Sequence, residues 1–524
     1  MMNKKVPLLL CFLLLLVFHP LKTSAHAVLL KATPEEQSEL KEMPDEVSLT
    51  FNERLDGEVF DLKVRDDKGE VITKKKAVIS EDHKTISLDV PDQPKGIYTL
   101  SYSIISADGH PVKGTYIFSV GEKIAGPVPD RNDGFQQGSD AIYNVLLSIV
   151  QVCYYLFLLL SVGWVLWKWF IPFQTKENEE IYGQKHKGIY LNYMVFLVLS
   201  IVVQAMNVLN GSSASQIGTF IFSSATGLSW IISLFLALIG YFLVSKHKGF
   251  DFVWAGLVLL VSTLNGHAVA TNIPYYTVML DFIHLITAAL WAGGIVYLLL
   301  FFKKHREDVL LFMPKFSKIA LFSLLLLIIT GILYTLMIVP NISVIFHTTW
   351  GILLLVKVGL VCIVLIIGAL VRNALKKNEQ TNLKKLLTVD VTLMALIVLI
   401  VGIITHLNPI PQNKPLLWKE EQQGMYIVTK TSTLQQGNFA MVVSPSQPKD
   451  GSSIQMVTAT LTPKGKGKGK EESIEIPLEK ENSSSYKTSK AVLPYAGEWD
   501  LSVRVVTTEL DEFIIHKNIQ VFDH

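Results

Sequence analysis

The chain has 524 residues, half of them hydrophobic, and a formal net charge of +2. That length exceeds one ordinary domain, and the near-neutral charge offers no electrostatic footprint for nucleic acid, so no nucleic-acid partner is expected. Its cysteines, Cys11, Cys153 and Cys362, all fall in apolar runs, which excludes a disulfide scaffold or a thiolate metal site in the soluble regions.

Lys4 and Lys5, an apolar run from Val6 to Phe18 and the small residues Thr23-Ser24-Ala25 predict a signal peptide over 1–25. Cleavage after Ala25 leaves His26 as the first residue of the mature chain; the competing cut, after Ala27, deletes it. Residues 26–122 alternate apolar and polar in short stretches such as Val47-Ser-Leu-Thr-Phe51 and Gly114-Thr-Tyr-Ile-Phe-Ser-Val120, separated by turn residues. This spacing predicts a small β-sandwich, followed by a Gly/Pro/Asp-rich linker over 123–140.

Apolar segments at 141–167, 189–209, 227–244, 251–270, 278–302, 319–339, 350–371 and 386–406 predict an eight-helix transmembrane bundle within 141–407, with membrane lipid as a partner. Lys168, Lys176, Lys185, Lys187, Lys246, Lys248, Lys303, Lys304, Arg306, Lys315, Lys318, Arg372, Lys376, Lys377, Lys384 and Lys385 fall in or beside alternate connections. The others, 210–226, 271–277 and 340–349, contain no Lys or Arg. The positive-inside rule makes the first set cytoplasmic and puts both termini outside the cell. His267, His284, His347 and His406 then lie at or near the outer ends of spans four to eight. Asp281 shares a helix face with His284 three residues on, and an acid within an apolar span is a functional candidate by default; the bland reading is that it only knits the bundle. Met279 and Met337, at similar depth, are thioethers suited to Cu(I). Residues 408–524 predict a second extracytoplasmic β-sandwich, whose histidines, His516 and His524, have no ligand spacing.

In Ser106-Ala-Asp-Gly-His-Pro-Val-Lys-Gly114, Asp108 and His110 stand two residues apart, so in an extended segment both address one metal. A free His26 adds its α-amine and imidazole. Three nitrogens and one oxygen suit tetragonal Cu(II).

His26 and the Asp108-Gly-His-Pro-Val-Lys-Gly114 stretch resemble the periplasmic copper protein CopC. His284-Leu-Ile-Thr-Ala-Ala-Leu-Trp-Ala-Gly-Gly294 and Ser262-Thr-Leu-Asn-Gly-His-Ala268 resemble its membrane partner CopD. Over nearly its full length the chain is similar to CopC–CopD fusion proteins carrying a C-terminal YtkA-like domain. The resemblance implies copper homeostasis or import, with Cu(II) held by His26, Asp108 and His110. Glu53, in Thr50-Phe-Asn-Glu-Arg54, resembles an acidic position beside that site, as a weak ligand or a neighbour of the ligands. With only Met43 in the sandwich, a Met-rich Cu(I) site is not expected there. The membrane residues Asp281, His284, His267, His347, His406, Met279 and Met337 form the expected relay, carrying Cu(I) if the metal is reduced.

No G-x-x-x-x-G-K-[ST] loop is present to power an ATPase. A copper monooxygenase is disfavoured because Asp108 closes the open position that dioxygen needs, so no enzyme is expected. A haem-bearing electron carrier is disfavoured because the histidines cluster at one surface. Copper resistance, or delivery to other extracytoplasmic copper proteins, would use the same residues.

Overall fold

The computed structural model describes residue 27 and residues 29–521, except 36–37, 52, 74, 107–110, 123–136, 210–213, 266, 271–272, 303–304, 340–341, 347, 378–379, 406, 408, 410–415, 432–433, 435, 447–451, 465–472 and 481–484. The chain forms two units, Met1–Ile410 and Pro411–His524.

The expected N-terminal β-sandwich is present. One sheet has β1 (Leu29–Thr33), β3 (Glu46–Phe51), β6 (Thr85–Asp89) and β5 (Val78–Ile79), in the order β1-β3-β6-β5; the other has β2 (Glu39–Leu40), β8 (Pro111–Val120), β7 (Gly96–Ser106) and β4 (Leu55–Arg65), in the order β2-β8-β7-β4. Alternation sets the core: in β3, Val47, Leu49 and Phe51 are buried while Ser48 and Thr50 stay partly exposed. They meet Leu62, Val64, Leu100, Ile104 and Phe118 from the second sheet. Ile105 pairs with Pro111, so β7 and β8 make a hairpin.

The helical region contains α1 (Gln137–Lys168), α2 (Lys176–Val208), α3 (Ala214–Ser223), α4 (Ala225–Leu243), α5 (Lys248–Thr263), α6 (His267–Ala270), α7 (Pro274–Phe301), α8 (Arg306–Ile338), α9 (Thr349–Lys376) and α10 (Gln380–Ile404). The expected bundle is present, but its helix count needs correcting. Among the described residues, seven helices are long and apolar enough to cross a membrane: α1, α2, α4, α7, α8, α9 and α10. The span expected over 251–270 is broken. Its first part, α5, has 16 residues, about 24 Å of helix against a hydrocarbon core of about 30 Å. Its end falls at Leu264 and Asn265, whose amides turn back to Val261 and Ser262, just before Gly266. Asn265 is held there as the acceptor of the Ser229 hydroxyl. The connection at 210–226 adds a further helix, α3.

Small residues let two helices touch backbone to backbone. A Cβ on Gly163 of α1 would lie 2.0 Å from the Ala289 carbonyl oxygen of α7, and one on Gly293 would lie 2.6 Å from the Gly163 carbonyl carbon. Trp167 Nε1 donates to the Leu290 carbonyl at 2.7 Å beside them. The Trp-Ala-Gly-Gly motif is thus a packing device. At the basic end, Lys168 donates to the Ser245 carbonyl at 2.7 Å, while Lys248 and Lys315 stand 5.5 and 4.6 Å from the Phe170 ring centre.

The C-terminal unit is β-rich. β9 (Leu417–Gln422), β10 (Met425–Thr431), β11 (Gly437–Pro445), β15 (Tyr486–Leu493) and β14 (Glu479–Lys480) form one sheet; β12 (Ile454–Pro463), β13 (Ile474–Ile476), β16 (Gly497–Thr507) and β17 (Glu512–Val521) form another. Its core includes Trp499, Met441, Val443 and Leu501.

Gly163→Val forces apart the α1–α7 contact. The variant is expected to lose about 1–3 kcal/mol, read as a lower melting temperature in detergent, whereas Gly183→Val, where a Cβ meets nothing within 4 Å, is expected to melt within a degree or two of the parent, since a valine in an exposed helix costs well under 1 kcal/mol.

Candidate metal centre

Two places carry or adjoin candidate residues. The first is a corner of the sandwich. Glu53 lies between β3 and β4, and Leu55 at the start of β4 pairs with Ser106 at the end of β7. His26, Asp108 and His110 lie outside the described residues. The chain runs from Ser106 into the segment that carries Asp108 and His110, and Ala27, next to His26, is buried in the sandwich core. A histidine passed over by the sequence reading joins this corner. The Leu55 amide donates to the His83 carbonyl at 2.7 Å. His83 adopts φ +59°, and its ring lies over Gly57, where a Cβ would come 2.9 Å from Cε1. Only strand pairing reveals this neighbourhood.

The same end of the sandwich packs on the helices. Ile105 is buried in a cluster with Val208 at the end of α2, Phe220 of α3 and Trp230 of α4, and α3 also packs against β4. Those helix ends flank the 210–226 connection, which has no Lys or Arg. The unexpected helix α3 is therefore a platform for the sandwich.

The second place lies within the bundle. Asp281 and His284 share one face of α7, and Tyr155 of α1 interacts electrostatically with Asp281. His284 Nδ1 is 2.9 Å from Thr330 Oγ1 on α8, and the ring edge would be 3.6 Å from a Cβ on Gly331. The Thr330 hydroxyl hydrogen points to the Leu326 carbonyl, 2.7 Å away. A threonine hydroxyl has one hydrogen, so Thr330 accepts from His284, and Nδ1 carries the proton. The Nε2 lone pair is left for a metal or a donor, the arrangement in which a neighbouring group fixes the tautomer of a ligating imidazole.

Lys357, on α9, was missed by the sequence reading. Arg372 donates to the Ser317 carbonyl at 2.9 Å, which fixes α9 against α8. Counting away from the basic end from that contact along the antiparallel helices brings Lys357 level with Ile332, and the His284–Thr330 bond brings Ile332 level with Phe282. Lys357 thus stands at the height of Asp281, and its ammonium acts electrostatically on both Asp281 and His284. A lysine inside Leu353-Leu-Leu-Val-Lys-Val-Gly-Leu360 was a legible signal, since charge in an apolar span is costly. Asp390 on α10 was missed for the same reason; it is 6 % exposed, and its Oδ1 has no hydrogen-bond partner among the described residues.

The other relay candidates divide. Met337 is on the Thr330 face of α8, two turns further from the basic end. Met279 is 53 % exposed and turned about 140° around α7 from His284, so the structure does not bring it to that site. His267 opens α6, which is tied to α7 by the Thr277 hydroxyl donating to the Ala268 carbonyl at 2.6 Å; its side chain lies outside the description. His347 and His406 lie outside the described residues, although Ile345, Trp350, Ile403 and Leu407, which flank them, share one apolar cluster. Among the described residues no group of three or more His, Cys, Asp or Glu side chains is placed to hold a metal.

Comparison with known proteins bears on both places. The CopC domain model matches residues 29–121, and the model for Copper resistance protein D, CopD, matches residues 310–404. The chain is also 27 % identical to the Copper transport protein CutJ of Bacillus subtilis (strain 168), over 96 % of this chain and 97 % of that one. The chain carries a CopC domain and a CopD domain in one polypeptide. Its CopC part is 33 % identical to Protein YobA of Escherichia coli (strain K12) across 18 % of this chain and 79 % of YobA. Among solved structures, it is similar to CopC from Methylosinus trichosporium OB3b, with 24 % identity, 20 % of this chain, 99 % of that chain and a TM-score of 0.18. The first candidate place lies in the CopC domain. Thr330, Met337, Lys357 and Asp390 fall in the CopD match, while Asp281 and His284 precede it.

Thr330→Val strands the Nδ1 proton of His284. The expected cost is about 1–3 kcal/mol, seen as a lower melting temperature in detergent, with Thr330→Ser restoring most of it.

Proposed function

We propose that this protein acquires copper: the CopC domain captures Cu(II) outside the cell and passes it to the CopD helices for import. The observation that carries this reading is the union of CopC and CopD domains in one chain, alike over nearly its whole length to a relative named as a copper transport protein. His26, through its α-amine and imidazole, Asp108 and His110 hold the Cu(II), with Glu53 beside them. A free His26 amine requires cleavage after Ala25. The membrane relay takes the metal at Asp281, with the Nε2 lone pair of His284 and with Met337 on the outward stripe; His267, His347 and His406 serve its entry. Met279 is the weakest member, given its exposed position. Thioether and imidazole donors suit Cu(I), so the metal travels the bundle in that state once reduced.

Two features support the orientation. The sandwich packs at the helix ends that lack basic residues, and Lys168, Lys248 and Lys315 gather at the opposite end. Both soluble domains then face outward, the C-terminal unit being a YtkA-like domain. The protein is a carrier rather than an enzyme; its partners are copper ions, membrane lipid and other extracytoplasmic copper-binding proteins.

Cells lacking the protein are expected to hold less copper and to grow poorly under copper limitation; raised copper with copper sensitivity would instead mean export or resistance. His26→Ala in the full chain is expected to abolish tight Cu(II) binding, read as loss of the tetragonal Cu(II) electron paramagnetic resonance signal. Ile105→Asp is expected to keep that signal but cut cellular copper uptake at least severalfold, because it breaks the packing of the sandwich on α2, α3 and α4.

A further inference from the structure

We propose that Lys357 is a built-in counter-cation of the Asp281–His284 site, which keeps the site's hold on a metal cation weak enough for the metal to move on. The inference rests on the copper reading above. Lys357 lies eight residues inside α9, about 12 Å from its outer start, deeper than a lysine placed to reach the interface. The registers of α7, α8 and α9 bring it level with Asp281, and its ammonium acts on both Asp281 and His284. The basic residues of the cytoplasmic end have other partners: Lys168 a backbone carbonyl, Lys248 and Lys315 the Phe170 ring, Arg372 the Ser317 backbone.

The charge count gives this placement a function. Without metal, the Asp281 carboxylate and the Lys357 ammonium sum to zero, and the form of His284 that can take a metal is the neutral one, in which Nδ1–H donates to Thr330 and Nε2 keeps its lone pair. A Cu(I) ion that binds Asp281 and the Nε2 lone pair raises the site to a net single positive charge in a poorly screened interior. Without the lysine the same ion would neutralise the site. Lys357 therefore opposes binding, at a site where conduction needs binding firm enough for entry and loose enough for exit. A lysine that only braced the fold would contribute to stability and leave copper affinity alone.

The test uses the full-length protein in detergent, with Cu(I) supplied against bathocuproine disulfonate as competitor. K357M is expected to bind Cu(I) at least tenfold more tightly than wild type and to import copper more slowly in cells. K357R, which keeps the charge, is expected to match wild type. D281N and the double variant D281N/K357M are expected to bind more weakly than wild type. If K357M does not fold, K357Q carries the same expectation. K357M or K357Q binding Cu(I) no more tightly than wild type, while D281N weakens it, overturns this inference and leaves the copper reading standing. If D281N and H284A both leave Cu(I) binding unchanged, the copper reading of the bundle fails, and this inference with it.

Discussion

An ionised group in a medium that cannot solvate it costs several kcal/mol unless something compensates it, and the helical region is organised around that cost. Two of its acids are fully engaged. Asp251, in the first turn of α5, accepts from the Ser245 amide and from Trp169 Nε1, each at 2.8 Å. Asp308, in the first turn of α8, accepts from the Gln174 amide at 3.0 Å and from Asn178 Nδ2 at 2.7 Å. Both sit at helix N-termini, where the dipole favours negative charge, and each staples a connection at the basic end. Among the described residues, Asp281 and Asp390 have no such staples. Asp281 answers instead to a cation on another helix, and Asp390 keeps an oxygen without a partner among the described residues. Acids that hold the bundle together are thus distinct from an acid that leaves chemistry open.

Among the described residues, the sandwich and the helices meet through an apolar cluster. Ile105 is the next-to-last residue of β7, from which the chain runs into the segment carrying Asp108 and His110, and its side chain is buried among Val208, Phe220 and Trp230. The close contact of Gly163 with Gly293 sets α1 against α7, so Tyr155 comes to the height of Asp281.

Sequence made the architecture legible because period is a strong signal: two-residue alternation gave the sandwich, and long apolar runs flanked by lysines gave the spans. It failed at 251–270, where hydropathy continues across Asn265 and Gly266 although their backbone preferences end the helix. It also missed α3, a polar-flanked 10-residue helix that packs against both α4 and β4. At the site, Asp281 and His284 were legible as i and i+3 on one helix, whereas Thr330 and Lys357 come from other helices and show no spacing. Lys357 and Asp390 were still visible as charges in apolar spans. Met279 shows the opposite error: similar depth in sequence says nothing about which way a side chain faces.

On the proposed path of copper from sandwich to bundle, the packing of Ile105 has a further consequence, a kinetic one. A donor domain held against its acceptor within one polypeptide presents its cargo at an effective concentration in the millimolar range, far above that of a diffusing partner. Handover then becomes first order and independent of how many copies the cell makes. The receiving helices can accept metal at modest affinity without losing it to competing chelators in bulk solution. Fusion thereby substitutes proximity for strong binding at the second station, and so leaves the membrane step free to be fast.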